Sequence, residues 1–420
     1  MKILDHKTMR WLLLPLLLLL LNACSDADDA PGDQEKERVQ IELKPCAPWY
    51  VDEVAEARSK SITRTDPESP SWAPGYYLYN DLNAKFKDQT NLTNKSISMF
   101  FTQDNKEPLE GTFFYKNSDG SWWLSNTEIG AGDYYFYGFI PKEEAASASV
   151  VSYNGTTTNG NASYSEGAVL TINGLQTVTP SDVCVLIGAK DGIDENTVPV
   201  PGLKVGQFAT HINSGENNNY IFLLFDHLYA SLRFRFKVDA TYAALRTIRL
   251  KKLELIAYSS DSGGAVYAKF NVRIKLKKTD DGSSPIDGTV EYTPDVSSTS
   301  VAPVPIFEWD NTSENQVILN SVTPTDFMGC FVPGDNTYFK LRSTYDVFDN
   351  NPPYDPSTYS IGNLIRENCQ AENTIDLRKW FGTELITTRG CSYSLTMTVQ
   401  PTYLYMLSDP DLNNPTVKIN

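Results

Sequence analysis

Histidine is nearly missing from this chain: three residues in 420, at positions 6, 211 and 227. None has an HxxH or HExxH neighbour, which removes the usual zinc-hydrolase pattern. Six cysteines are present and no two stand at CxxC spacing, so zinc-ribbon and dithiol redox chemistry have no motif to rest on. There is no GxSxG, no P-loop and no GxGxxG, which leaves serine hydrolysis and nucleotide binding without support. Positive charge is also short. Lys and Arg number 36 against 52 Asp and Glu, a formal net charge of −16. Such a surface repels phosphate backbones and is not drawn to anionic lipid, so no nucleic-acid partner is expected and any membrane attachment needs an anchor. Long apolar runs are lacking as well: the one candidate, residues 11–21, is too short to cross a bilayer. No repeat of solenoid or propeller length stands out.

What the chain does have is aromatic side chains (12 %, with 23 Tyr and 19 Phe) and turn formers spread throughout, the mark of an all-β protein. The clearest stretch is residues 220–258. From Leu228, the residues Leu228, Ala230, Leu232, Phe234, Phe236 and Val238 alternate with Tyr229, Ser231, Arg233, Arg235 and Lys237. A period of two puts one row in a core and the other in water. Residues 221–225 are apolar on both faces, as in a strand covered on both sides. A second strand opens with Ile248 and Leu250 and shifts phase across Lys251-Lys252 to Leu253, Leu255 and Ala257, which predicts a β-bulge. The two are expected to form one long hairpin.

The amino terminus carries the anchor. Lys2, Lys7 and Arg10 precede the apolar run, which ends in Leu21-Asn22-Ala23-Cys24. This resembles a lipobox, the site of signal peptidase II cleavage and acylation at Cys24; the alternative is a plain secretory signal with a chance cysteine. Acyl chains, at about 0.8 kcal/mol per buried CH₂, hold a protein to a bilayer. Loss of residues 1–23 removes Lys2, Lys7, Arg10 and Asp5 and leaves 33 basic against 51 acidic residues.

The expected organisation is a lipoprotein signal at 1–23, a tether at 24–70, one β-sandwich at 71–205 and a second at 206–420. The tether is charged and poor in large apolar groups apart from 39–43 and 49–51, which leaves room for one short strand. In the first sandwich, strands are expected at 75–79, 97–102, 111–115, 122–124, 133–140, 168–172 and 182–189, with a hairpin turn at Asn117-Ser118-Asp119-Gly120. Residues 191–219 hold Gly192, Pro199, Pro201, Gly202 and an Asn run, a junction by composition. In the second, residues 266–276 alternate cleanly, 278–305 read as a loop, and strands resume at 317–319, 329–333, 338–345 and 392–401.

Few residues invite chemistry. His227 lies in the organising strand, where a core or edge histidine is the ordinary outcome. Acidic residues are scattered in the tether and in turns such as Asp280-Asp281-Gly282; a glycosidase carboxylate pair stays open on sequence alone. Asp346, Asp349 and Asp355 with Asn350 and Asn351 form a polar loop with oxygen ligands for calcium, or simply a solvated turn; its spacing fits no EF-hand. Trp122-Trp123 and Tyr76-Tyr77 are either sugar-stacking platforms or cross-strand pairs. Cys369 with Cys391 is the one disulfide pairing considered. No catalytic residue, metal or cofactor is expected, and the chain is not read as an enzyme.

One resemblance sharpens these expectations. Phe225-Asp226-His227-Leu228-Tyr229-Ala230-Ser231-Leu232-Arg233-Phe234, followed by Ile248-Arg249-Leu250, resembles the Phe-x-His-x-x-Ala-x-Leu-x-Phe strand pair of the fimbrillins, lipoprotein subunits of the type V pili of gut and oral anaerobes. Residues 134–141, ending in Pro141, and 182–190 are similar to further strands of that family. The acidic run Ser25-Asp26-Ala27-Asp28-Asp29 is similar to the signal that sends such lipoproteins to the outer face of the outer membrane. The resemblance implies two tandem transthyretin-like β-sandwich domains and a place in a fimbrium at the cell surface. It implies other pilin subunits as partners, joined by strand complementation, after an arginine-specific cut at Arg64 or Arg58 that frees a leading strand. Residues 392–407 are the donor candidate. A tip, accessory or anchor role fits as well as the shaft. A surface lipoprotein that binds a glycan or host protein and never polymerises is the alternative.

Overall fold

The computed structural model describes residues 37–39, 41–44, 49–52, 96–116, 121–125, 129, 132–153, 163–192, 204–208, 220–259, 266–278, 285–400 and 416–419. Cys24, Arg58, Arg64 and the strand expected at 75–79 lie outside the described residues.

Three short strands lead: β1 (Glu37–Val39), β2 (Ile41–Lys44) and β3 (Trp49–Asp52). They are followed by β4 (Ser96–Thr102), β5 (Leu109–Lys116), β6 (Ser121–Leu124), β7 (Gly132–Ile140), β8 (Ser147–Ser152), β9 (Gly167–Gln176), β10 (Val178–Thr179), β11 (Cys184–Gly192) and β12 (Lys204–Phe208). The organising stretch gives β13 (Tyr220–His227), β14 (Ala230–Val238), the single turn α1 (Ala240–Ala243) and β15 (Arg246–Ala257). Beyond it come β16 (Lys269–Lys277), β17 (Glu291–Pro294), β18 (Val304–Glu308), β19 (Val317–Ile318), β20 (Thr325–Phe331), β21 (Tyr338–Asp349) and β22 (Leu364–Asp376). The turn α2 (Arg378–Phe381), β23 (Cys391–Gln400) and β24 (Thr416–Ile419) end the described chain.

These strands build two sandwiches. The first faces a nine-stranded sheet, ordered β1-β6-β5-β4-β7-β11-β13-β2 with β12 on β7, against a four-stranded sheet ordered β17-β16-β9-β8. Between them lie Ile97, Phe113 and Phe136 from one side and Leu170, Ile172 and Ile274 from the other, all fully buried. The second faces a six-stranded sheet (β10-β20-β14-β23-β24, with β3 on β23) against a five-stranded one (β18-β15-β21-β22, with β19 on β15). Leu232, Phe234 and Leu395 meet Leu253, Leu255 and Leu341 in its core. The all-β expectation is met.

Alternation carried most of the strands correctly. Ala230–Val238 shows the expected buried-and-half-buried rhythm, and the ladder of β15 with β21 slips one residue at Leu250/Lys252, where the phase change predicts a bulge. β5 and β6 pair antiparallel across residues 117–120, as a hairpin there requires.

Four expectations change. First, 228–238 and 248–258 are not a hairpin: β14 belongs to the six-stranded sheet and β15 to the five-stranded one. Asp239 caps α1 by accepting from the N–H groups of Thr241 and Tyr242, and this turn carries the chain from one layer to the other. Both strands still bury the same kind of apolar row because they face one core from opposite sides. Second, the core does not divide in chain order at 205/206. Val272, Ile274 and Leu276 of β16 pair with Ile172, Leu170 and Ala168 of β9 and fill the first core. β20 even serves both, with Phe327 and Phe331 in the second core and Met328 and Cys330 in the first, as alternation in a shared strand allows. Third, the loop expected at 278–305 contains β17, paired with β16. Fourth, residues 392–400 are no free donor. As β23 they run parallel to β14 over eight residues, with Leu395 and Met397 fully buried.

Gly138 shows how tightly the first sheet is paired. It faces Met99 across β4 and β7, and an added Cβ falls inside the van der Waals shell of the Ser98 carbonyl oxygen and 3.2 Å from Met99 Sδ. Gly138→Ala is expected to cost about 1–3 kcal/mol by overpacking, read as a lower urea midpoint at unchanged m-value.

Candidate functional site: sheet edges under the leading segment

The leading strands lie on distant parts of the fold. β1 pairs antiparallel with β6, Glu37 opposite Leu124 and Val39 opposite Trp122. One residue later β2 pairs parallel with β13, from Ile41 opposite Ile221 to Lys44 opposite Leu224. β6 and β13 stand next to the two ends of the path through the first sheet, which are β1 and β2 themselves. Since only Gln40 separates β1 from β2, the same segment is first and last strand, and it closes the sheet on itself. β3 then passes to the second sandwich and pairs parallel with β23, Trp49 opposite Cys391 through Asp52 opposite Ser394. Further along the same edge of β23, β24 covers Met397 to Gln400 in antiparallel register.

Without that segment, three strands present unpaired N–H and C=O groups, the property that makes a sheet edge a template for another chain. Parallel pairing has slanted hydrogen bonds and is slightly weaker per residue than antiparallel, so β2 and β3 are the easier pair to exchange. Chain order matters here. All of β1–β3 follow Cys24 and precede Arg58 and Arg64. A cut after either arginine breaks the covalent link between every leading strand and the sheets it closes.

The motif residues occupy the crossover between the sandwiches. Phe225 is buried in the first core; Ala230, Leu232 and Phe234 are buried in the second. His227 sits at the turn-over point. Its Nδ1 lies 2.8 Å from Asp182 Oδ2 and 3.5 Å from Cys184 Sγ, and Cys184 is its partner across the β11–β13 ladder. Burial first, then the Asp182 carboxylate, pushes the Cys184 thiol well above its ordinary range. The backbone is tied from outside. Arg389 Nη1 donates to Asp226 Oδ2 (2.6 Å) and to the His227 carbonyl (2.9 Å), the Tyr292 hydroxyl donates to the Leu228 carbonyl (2.6 Å), and the Gly390 N–H to the Tyr229 carbonyl (2.8 Å).

Sequence reasoning named His227 and missed Asp182, Cys184, Arg389 and Tyr292 as its surroundings. The i, i+2 spacing of Asp182 and Cys184 is the one local signal, and it says only that the two share a side of an extended chain. The acidic loop reads differently in the fold. Asp346 is buried under Arg249, 2.7 Å from Nη2, and accepts from the Asn368 N–H, while Asp355 caps Ser357. The two carboxylates serve separate local bonds and do not share one ligand position. Cys184, Cys330, Cys369 and Cys391 are all buried thiols, so the Cys369–Cys391 disulfide is not formed.

Cys391, opposite Trp49 at the head of β3, supplies a pH handle on this edge. Burial raises its thiol from 9.0 to about 11. The raised value favours the protonated form in the folded state, so its contribution is complete below pH 9 and disappears as pH climbs to about 11. Two units correspond to roughly 2–3 kcal/mol. Cys391→Ala is expected to flatten the fall of unfolding free energy between those pH values, measured by denaturant titrations at each pH.

No family model and no curated protein matches this chain. Among solved structures it is similar to a candidate cell adhesion protein from Bacteroides fragilis, at 14 % identity over 91 % of this chain and 97 % of that one, with a TM-score of 0.34. A fimbrial protein from Bacteroides vulgatus is similar at 12 % identity over 79 % and 94 %, with a TM-score of 0.30. A candidate polysaccharide-binding protein from Bacteroides thetaiotaomicron is similar at 10 % identity over 73 % and 83 %, with a TM-score of 0.24. At these identities and TM-scores the overlays assign no activity to this chain.

Proposed function

We propose that this chain is a structural or adhesive subunit of a cell-surface pilus, exported as an outer-membrane lipoprotein held by lipid on Cys24 and joined to neighbouring subunits by strand complementation. The role is architectural, with no catalytic step. The observation that carries the reading is the leading segment: Glu37–Asp52 closes the first sheet, covers an edge of the second, and lies wholly upstream of Arg58 and Arg64. Removing it opens edges in both sandwiches at once, and a segment of a neighbouring subunit then restores the ladders.

A second reading has its own observation. β24 lies on β23 of the same chain, so this terminal strand is used in cis. That favours a closed surface lipoprotein that binds a glycan or host protein without polymerising, or a tip subunit. N-terminal sequencing of the protein released from cells, with and without an inhibitor of arginine-specific proteases, separates the two. The pilus reading expects a new amino terminus just after Arg58 or Arg64, with a ladder of high-mass species, both abolished by the inhibitor or by Arg58→Ala/Arg64→Ala. A sole terminus at lipidated Cys24, without a ladder, sinks the shaft-subunit reading.

A further inference from the structure

We propose that Asp182, Cys184 and His227 are the ligands of one divalent metal ion of the zinc class, bound where the chain crosses from the first core to the second. The three side chains converge, with one donor atom from each within 4.8 Å of the others, and all are buried. Cys184 faces His227 across the β11–β13 ladder, and Asp182 stands two residues upstream of Cys184. The donor set is one thiolate, one imidazole and one carboxylate, a combination suited to zinc and poorly suited to calcium or magnesium.

The separations support a shared centre. Cys184 Sγ is 3.5 Å from Asp182 Oδ1 and 3.5 Å from His227 Nδ1. With zinc bonds of roughly 2.3 Å to sulfur and 2.0–2.1 Å to nitrogen and oxygen, each of those two edges subtends about 105–109° at the ion, close to tetrahedral. The 2.8 Å contact of Nδ1 runs to the other carboxylate oxygen, Oδ2, and is a hydrogen bond that gives way when the ion takes Nδ1. A thiol is a weak donor and adds little to an aspartate–histidine pair that already has its hydrogen bond. Its equal distance to both partners is the feature a metal explains. Cys330, buried in the same core and acting electrostatically on Cys184, offers a further thiol on that side.

Charge balance makes the exchange feasible in an apolar interior. The donor set carries its own charge: bound as thiolate and carboxylate, Cys184 and Asp182 bring two negative charges beside a neutral imidazole. Those two charges offset the two of a divalent ion, and the thiol proton is released as it binds. The consequence is mechanical: the ion clamps the start of β11 to the end of β13, the strand whose far edge β2 covers. The site is independent of the pilus reading and stands or falls without it.

The test is metal analysis of the full chain purified without chelator, then unfolding in chelator and refolding with cobalt(II). About one zinc per chain is expected, with a thiolate-to-cobalt charge-transfer band after refolding and at least one proton released per ion in a weakly buffered titration. Cys184→Ser is expected to fold, to lose the band, and to weaken metal binding at least ~100-fold, the upper end of what outer-shell changes cost. A folded wild-type chain that carries no metal and gives no cobalt band overturns the proposal, as does an undiminished band in Cys184→Ser. Should the serine variant not fold, Cys184→Ala takes its place, and the wild-type cobalt result decides the matter without either.

Discussion

Cut at a specific protease site placed at Arg58 and freed of its leading segment, the folded chain is expected to lose about 10 °C of thermal midpoint and to rebind a peptide of residues 37–52 in trans. The size follows from what the segment holds. β1, β2 and β3 pair along three, four and four residues. Backbone hydrogen bonds net about 0.5–1.5 kcal/mol each, and the ordering of the segment offsets much of their sum. A remainder of several kcal/mol, at about 2–4 °C per kcal/mol for domains of this size, gives the expected shift. Because the cut is made after folding, the segment's part in folding does not enter. Added peptide is expected to restore the midpoint, and a peptide with proline at Leu43 is expected to fail, since proline cannot donate to the ladder. An unchanged midpoint after release of the segment would show that the three edges do not need it, and the pilus reading would lose its carrying observation.

Asp182→Ala is expected to be the most damaging single polar substitution in the described fold, at about 3–5 kcal/mol. Its carboxylate and the His227 ring are 2 % and 3 % exposed and 2.8 Å apart. Taking one partner from a buried hydrogen-bonded pair leaves the other desolvated and unpaired, which costs more than the pair itself contributes. In the chelator-treated, metal-free chain, replacing both, as Asp182→Leu with His227→Leu, is expected to recover most of the loss, since two apolar groups carry no desolvation penalty. Denaturant titrations of the three variants check this. A double variant no more stable than Asp182→Ala would mean that shape, not charge pairing, governs the crossover.

How much of this was legible beforehand depended on whether a strand's environment is local. β14 and β21 bury every second residue over most of their length, and period two announces such strands in any chain. β22 went unread for the opposite reason. It is a thirteen-residue edge strand in which Cys369 and Ile375 are the buried side chains, so backbone pairing with β21 defines it and no apolar rhythm does. The hairpin misreading has the same root: alternation reports which side of a strand is buried, not which neighbour lies beside it. β14 and β15 both point into one core, yet belong to different sheets.

By itself, then, the order of amino acids settled that this is an all-β protein, where most of its strands run, and where β15 bulges, because these follow from contacts each residue makes with its own strand's two faces. The tertiary fold alone decided that β16 completes the first core, that Glu37–Lys44 joins both ends of one sheet, and that an aspartate, a cysteine and a histidine meet at the crossover. Those are pairings between segments far apart in the chain, and backbone groups, identical in every residue, leave no trace of them in the sequence.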